Sequence, residues 1–341
     1  MRLIDIARQA HVSPATVSRA LNQPEIVSAE ALARIEAVMR AHHYVPAPAS
    51  RRRGPQNREP RIHRLGVWFV DAAANNPSLN WFQDQLLQIQ ASNPRYQVDL
   101  KLIFSPSHSE FPRVLKQEKV DGVILQGMEP TPEILACLRP LPYVWFMTRR
   151  SLAFADDYVE PNNEENGRLA AHHLHERGHR NVAVISIDPD YTATARRIAA
   201  FDTEARALGL TVHRILGRPT PGVSYLEIAP YSREIDALAE AVRAATPRAT
   251  AAYLPVDHFA GALFCAFRGV GLTPGLDLDI VLGNYNPVIH HNLDHCPAAL
   301  DINLRTLVRK VVDQLIWRIE NPSARGRVGI SVSPTFRPAG P

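Results

Sequence analysis

Residues 13–22 read SPATVSRALN and place three hydroxyls (Ser13, Thr16, Ser18), one guanidinium (Arg19) and one amide (Asn22) in a short span. Hydroxyl and amide groups suit phosphate oxygens. A guanidinium can bond a guanine edge through two hydrogen bonds, which is worth about 1–3 kcal/mol of discrimination between bases. Two histidine clusters offer different chemistry. In HHLHERGH, His175 and His179 stand four apart, a zinc-ligating spacing on a continuous helix, but Gly178 reads as the residue that ends the helix and turns His179 away. In HHNLDHC, the ligand types His290, His291, His295 and Cys296 lack a recognised site spacing. Neither cluster is assigned a metal. No GxSxG, Walker or GxGxxG pattern occurs, so no catalytic residue and no cofactor are expected.

Ser13 is a good N-cap, Pro14 fits a first helical position, and Asn22 marks a stop, so these groups ride on a helix of about two turns. Isolated helices below about 12–15 residues are marginal in water, so its neighbours must hold it. Periodicity supplies them. One helix runs from about Leu3 to Ala10, with Ile6, Ala7 and Ala10 on one face. Another runs from an N-cap at Ser28 to about His42, with Leu32, Ile35, Val38 and Met39 inward. Val17, Ala20 and Leu21 of the short helix then face the bundle, and Ala15, Thr16, Ser18, Arg19 and Asn22 face outward. Helix, tight turn, short second helix and packing third helix is the helix-turn-helix arrangement.

Residues 44–61, YVPAPASRRRGPQNREPR, read as a linker. From Leu65, eight apolar runs (LGVWFV, QVDLKLIF, DGVILQG, YVWFMT, VAVISI, TVHRIL, TAAYLP, DIVLGNY) alternate with helical patterns. Strands separated by helices imply parallel sheets, and a break near residues 156–167 splits the eight four and four. The expected fold is an all-α helix-turn-helix headpiece on an α/β body of two Rossmann-like lobes, with a ligand cleft between them.

Charge follows the same division. Residues 1–64 hold 11 Arg, no Lys and 5 acids, whereas the chain of 341 residues is only +4 overall. A basic head on a near-neutral body fits a polyanionic partner. The three cysteines are far apart and read as thiols in a reducing cytoplasm. No apolar run approaches the length of a membrane span, and the N-terminus shows no export signal.

LIDIARQAHVSPATVSRALN, followed by VS at 27–28 and YVP at 44–46, closely resembles the headpiece of the lac repressor-like (LacI/GalR) family of bacterial transcription regulators. The resemblance implies that Pro14, Ala15 and Arg19 occupy base-reading positions. Pro14 and Ala15 can offer only apolar contacts, so discrimination by this helix falls mostly on Arg19. Two departures stand out. The family's turn glycine is His11, and the Leu that kinks operator DNA falls at Arg53. Arg51, Arg52 and Arg53 are therefore expected to add charge in the minor groove rather than an apolar wedge.

The resemblance extends through VDGVIL, HLHERGHRNVAVI, RIAAF, ATAAYLPVD and DIVLGNY, and the body is similar to periplasmic sugar-binding proteins. The implied division is a headpiece over 1–45, a hinge over 46–63, and a two-lobed effector-binding and dimerisation domain over 64–341. Lobe 1 takes about 64–158 and 290–318; lobe 2 takes about 159–289 and 319–341, with three crossovers. Implied effector contacts are Asp71, Trp81, Phe82, Thr148, Arg149, Arg197, Asp257 and Tyr285. Of these, Arg197 stands for the Arg of R-x-x-G-F, with a surface arginine as the alternative; a structural capping role is the alternative for Asp257, and a buried core role for Trp81 and Phe82. Tyr285 replaces an acidic ligand contact. The expectation is a cytoplasmic, homodimeric, non-enzymatic regulator that binds a double-stranded DNA operator. A small-molecule effector, first of all a sugar, would control it. A nucleoside or acidic metabolite as effector, a transport solute-binding protein and an α/β enzyme are the alternatives.

Overall fold

The computed structural model describes residues 3–22, 24–42, 44, 62–70, 77–92, 97–105, 115, 119–127, 131–139, 141–147, 156–218 and 228–340. The chain forms two compact units, Met1–Arg61 and Ile62–Pro341. In the first, α1 (Leu3–Gln9), α2 (Pro14–Asn22) and α3 (Ala29–Ala41) enclose a core of Ile6, Ala7, Ala10, Val17, Ala20 and Ile35. Leu21, Leu32, Val38, Met39 and Tyr44 close its edges. Sequence periodicity and observed burial coincide because so small a core leaves each helix only one face to bury.

The turn between α1 and α2 rests on His11, whose φ is 52°. Its N–H bonds the Arg8 carbonyl (3.4 Å), and the Val12 N–H bonds the Ala7 carbonyl (3.0 Å). This is a Schellman closure, with histidine in the left-handed position usually taken by glycine. Ser13 Oγ then accepts the Thr16 N–H at 3.1 Å, and Ser28 Oγ accepts that of Ala31 at 3.4 Å. Both serines cap as their positions imply.

The body contains two six-stranded sheets. The first holds β1 (Ile62–Val70), β2 (Gln97–Ser105), β3 (Gly122–Gly127), β4 (Tyr143–Phe146) and β5 (Tyr158–Pro161), with α4 (Pro77–Ser92) and α5 (Pro132–Leu138) between strands. Next come α6 (Asn163–Glu176), β6 (Asn181–Ser186), α7 (Thr192–Ala207), β7 (Thr211–Leu216), α8 (Ser232–Ala244), β8 (Ala251–Leu254), α9 (Ala260–Gly269), β9 (Asp279–Leu282), α10 (Pro287–His290) and β10 (Ala298–Asp301). The chain ends with α11 (Leu304–Glu320), β11 (Gly329–Val332) and β12 (Thr335–Arg337).

Strand order is β2-β1-β3-β4-β5-β11 in one sheet and β7-β6-β8-β9-β10-β12 in the other, the same winding twice. All pairings are parallel except β10 with β12. Burial on both faces explains why strands such as VAVIS and AAYL are unbroken apolar runs.

The chain crosses between lobes at residues 161–163, 301–304 and 332–335. This corrects the expected boundaries. β10 stays in lobe 2 through Asp301, and only α11 returns, packing Leu307, Val311 and Leu315 on the first sheet. Residues 319–341 also divide, since β11 joins lobe 1 and β12 joins lobe 2. The break expected near 156–167 contains β5 itself. These strands are short and carry polar or small residues, and their pairing is set by distant partners rather than by local periodicity.

The three crossovers lie side by side. The Asn162 N–H donates to the Val332 carbonyl (2.8 Å), and Ser333 Oγ donates to Glu165 Oε2 (2.6 Å). Asn303, at φ 57°, donates from Nδ2 to the Ser333 carbonyl (2.8 Å) and to Thr335 Oγ1 (3.0 Å).

Candidate DNA-binding face and effector cleft

On α2, Val17 and Ala20 are buried while Ser13, Pro14, Ala15 and Arg19 are exposed. Thr16 and Ser18 are half-buried, and the Ser13 and Thr16 hydroxyls lie 2.8 Å apart. Among the described residues Arg19 has no ion pair, so its guanidinium is presented to solvent beside the capped start of the helix. Such an arrangement can place one bidentate donor and a hydroxyl cluster against a duplex edge. The Asn22 side chain and Arg51, Arg52 and Arg53 lie outside the described residues.

The body's candidate site lies at the carboxyl ends of the sheet strands. Strand order reverses between β1 and β3 and again between β6 and β8, the positions where open α/β sheets form ligand crevices. Arg197, on α7, is only 2% exposed, which removes the surface-arginine alternative. Its Nε donates to Asn163 Oδ1 (2.8 Å). Its Nη1 donates to the Pro255 carbonyl (2.6 Å), the Gly283 carbonyl (3.2 Å) and Asn284 Oδ1 (2.9 Å). All these acceptors are neutral, and burial pulls the Arg197 pKa below its usual value.

Asn284 links that guanidinium to an acid, because its Nδ2 faces Asp257 Oδ1 at 3.4 Å. Asp257 is 6% exposed. Burial raises its pKa, against opposing contributions from backbone N–H groups, Asn284 and Arg197. Beneath this corner, Tyr253 Oη donates to Asn166 Oδ1 (2.7 Å), and Asn166 Nδ2 donates to the Gly283 carbonyl (2.8 Å). The corner can therefore orient a small polar ligand with fixed donors and acceptors, and it holds one guanidinium and one carboxyl.

Asn163, Asn166 and Asn284 were not among the candidates. Their types were visible in NNEEN and GNY, but only the fold brings residues from α6, β8 and β9 to one arginine. Tyr285 is half-buried, with the Arg337 guanidinium 4.3 Å from its ring centre and the His290 ring 5.0 Å away. At least one side of the ring is thus engaged within lobe 2. Asp71, Thr148, Arg149 and the side chains of Trp81 and Phe82 lie outside the described residues; Trp81 and Phe82 fall on α4.

Two contacts bridge the lobes beside Arg197. Tyr191 Oη donates to the Met147 carbonyl at 3.2 Å. Arg196 donates from Nη1 to Glu160 Oε1 (2.9 Å) while clamping Glu164 through Nε (2.7 Å) and Nη2 (2.9 Å). Of the histidine clusters, Gly178 at φ 88° does end α6, and His179 pairs with Asp279 (3.2 Å) and Thr250 (2.9 Å). No cluster of metal-ligating side chains occurs among the described residues, and no helix among them is long and apolar enough to cross a membrane.

Residues 2–47 match the profile of bacterial regulatory proteins of the lacI family. Residues 70–217 match the periplasmic binding proteins and sugar-binding domain of that family, and residues 171–338 match a periplasmic binding protein-like domain. The chain is 24% identical to the HTH-type transcriptional repressor PurR of Pectobacterium atrosepticum over 97% of its own length and 94% of the relative's. It is 25% identical to the ribose operon repressor of Escherichia coli over 61% of this chain and 62% of that one. Among solved structures, a transcriptional regulator CelR–cellobiose complex superposes with TM-score 0.64 at 19% identity, covering 99% of each chain. The lac repressor dimer bound to operator and the anti-inducer ONPF gives 0.61 at 19% identity, covering 99% and 98%. With its head, both lobes and their order all matched, the chain belongs to the LacI family of bacterial regulatory proteins.

Proposed function

We propose that the protein is a cytoplasmic, homodimeric transcriptional repressor whose operator affinity is set by a small-molecule effector bound between its lobes. The observation that carries the DNA half of this reading is the exposed Arg19 on a two-turn helix whose opposite face is buried. Two such helices, one per protomer, would enter successive major grooves of a near-palindromic site. Arg19 would read a guanine in each half-site, with Ser13, Thr16, Ser18 and Asn22 on phosphates and Pro14 and Ala15 in apolar contact. Arg51, Arg52 and Arg53 would add salt-dependent affinity.

For the effector, a sugar or sugar derivative is the first reading. Hydroxyl groups both donate and accept, which suits a corner that pairs the Arg197 guanidinium with the Asp257 carboxyl. The CelR–cellobiose complex and the ribose operon repressor are consistent with it. A thermal-shift screen against sugars, nucleosides and organic acids, followed by fluorescence anisotropy on selected operator DNA, tests both halves. A sugar that raises the melting temperature and changes operator affinity supports the reading. Failure to retain duplex DNA in dilute buffer rejects the regulator, and a response confined to nucleosides or acids rejects the sugar.

A further inference from the structure

Helix α7 and the residue that precedes it reach in two directions. Arg197 and its four acceptors all belong to lobe 2. Its neighbour Arg196 reaches Glu160 on β5, a strand of the lobe 1 sheet, and Tyr191, just before the helix, reaches the carbonyl at the end of β4. The Met147 carbonyl is held in place for this contact. Met147 has φ 47°, a left-handed backbone that non-glycine residues adopt at a cost, and its N–H is anchored on the Val159 carbonyl at 3.1 Å. Glu160 is nearly buried, with its side chain 11% exposed.

We propose that α7 is a two-point closure clasp. Tyr191 on the Met147 carbonyl and Arg196 on Glu160 hold the lobes together before any effector arrives. Both contacts join different lobes, so opening must stretch them, and the Arg196–Glu160 contact, one residue from the crossover at 161–163, is stretched the less of the two. The bonds of Arg197 lie within one lobe and survive opening. The clasp therefore sets the resting ratio of open to closed protein, and with it the effector concentration at which the protein switches, because apparent affinity scales with the fraction already competent to bind. The adjacency of Arg196 and Arg197 puts the clasp and the effector corner on consecutive residues of one rigid helix.

The test needs neither DNA nor effector, so its failure leaves the regulator reading standing. Spin labels are placed on Leu87→Cys of lobe 1 and Val288→Cys of lobe 2, both exposed, in full-length chain with Cys137, Cys265 and Cys296 replaced by serine. Labelled chain is diluted with unlabelled chain so that pulsed electron resonance reads distances within one protomer. Tyr191→Phe is expected to raise the open-to-closed ratio about five-fold, the effect of one neutral hydrogen bond. Glu160→Gln is expected to raise it by less, about two-fold, because Glu160 stands beside the crossover and Arg196 keeps Glu164. The double variant should show the product. A distance distribution that matches wild type in the single variants overturns the clasp. A lowered melting temperature with unchanged distances also overturns it, since that marks a merely structural role. Should Tyr191→Phe fail to fold, Glu160→Gln on the opposite lobe carries the same test.

Discussion

Replacing Arg197 with methionine sets two large effects against each other. The substitution removes a guanidinium whose burial already depresses its pKa, so the cost of desolvating that charge is recovered. Against this, it removes the donor for four acceptors. The Gly283 carbonyl keeps Asn166 as a partner, but Asn163 Oδ1, Asn284 Oδ1 and the Pro255 carbonyl lose the bonds that Arg197 supplies. An unsatisfied buried acceptor costs about 1–3 kcal/mol, and water entering the vacated volume relieves part of that. With three acceptors orphaned and the recovered desolvation set against them, a net loss of about 3 kcal/mol is expected. At about 2 °C per kcal/mol for a body of this size, lobe 2 should melt roughly 6 °C lower. The assay can be lobe-specific. All four tryptophans fall on lobe 1 elements (Trp68 on β1, Trp81 on α4, Trp145 on β4, Trp317 on α11), whereas far-ultraviolet circular dichroism reads both lobes. The ellipticity transition of Arg197→Met should shift while tryptophan fluorescence lags behind it. A melting point within 1 °C of wild type, or above it, would refute the reasoning and show that desolvation outweighs the lost bonds.

Three further outcomes are expected. Arg19→Ala should relax base preference at one position of each half-site by about 1–3 kcal/mol; an unchanged preference in a binding-site selection rejects its reading role. Gly167→Ala should strongly destabilise lobe 2, because its Cβ would run into the Arg197 carbonyl oxygen and stand 2.8 Å from Phe201 N where α6 and α7 meet. An unaltered urea midpoint would contradict so close a helix approach. The Asp279 carboxyl is held down at about 2, first by its hydrogen bond from His179 and then by Arg177, against an unfolded value near 3.9. Its contribution, about 2 kcal/mol, is present above pH 4 and is lost as pH falls from about 4 to 2. The stability gap between wild type and Asp279→Asn should therefore close over that window in urea titrations at stepped pH, and a gap independent of pH would sink the assignment.

The headpiece was legible nearly residue by residue because its helices are local structures whose caps and apolar faces lie within a few positions of one another. Ser13, Ser28, Val17 and Ile35 do what their neighbours in sequence imply. Long buried strands such as β1 and β6 were equally plain. β5, β10, β11 and β12 were not recognised, because YVEP, AALD, GISV and TFR mix polar, small or proline residues into a few positions and are defined by partners far along the chain. The equally short YVWF and DIVL, by contrast, stand out as bulky apolar runs. The same limit applied to the cleft. The motif singled out Arg197, but its dependence on Asn163, Pro255, Gly283 and Asn284 exists only once α6, β8 and β9 converge. His11 illustrates the opposite case, where an unexpected residue fills the left-handed turn without changing the fold.

The seam where Asn162, Asn303 and Ser333 lace the chain's three passages has a mechanical meaning. A ribbon of three joined lengths folds readily along its own line yet resists twisting and sliding. The soft coordinate it leaves is a single angle, and displacement grows with distance from the seam. Whatever occupies the gap can thus be reported to the far end of either half as an amplified swing, with no rearrangement needed inside either half.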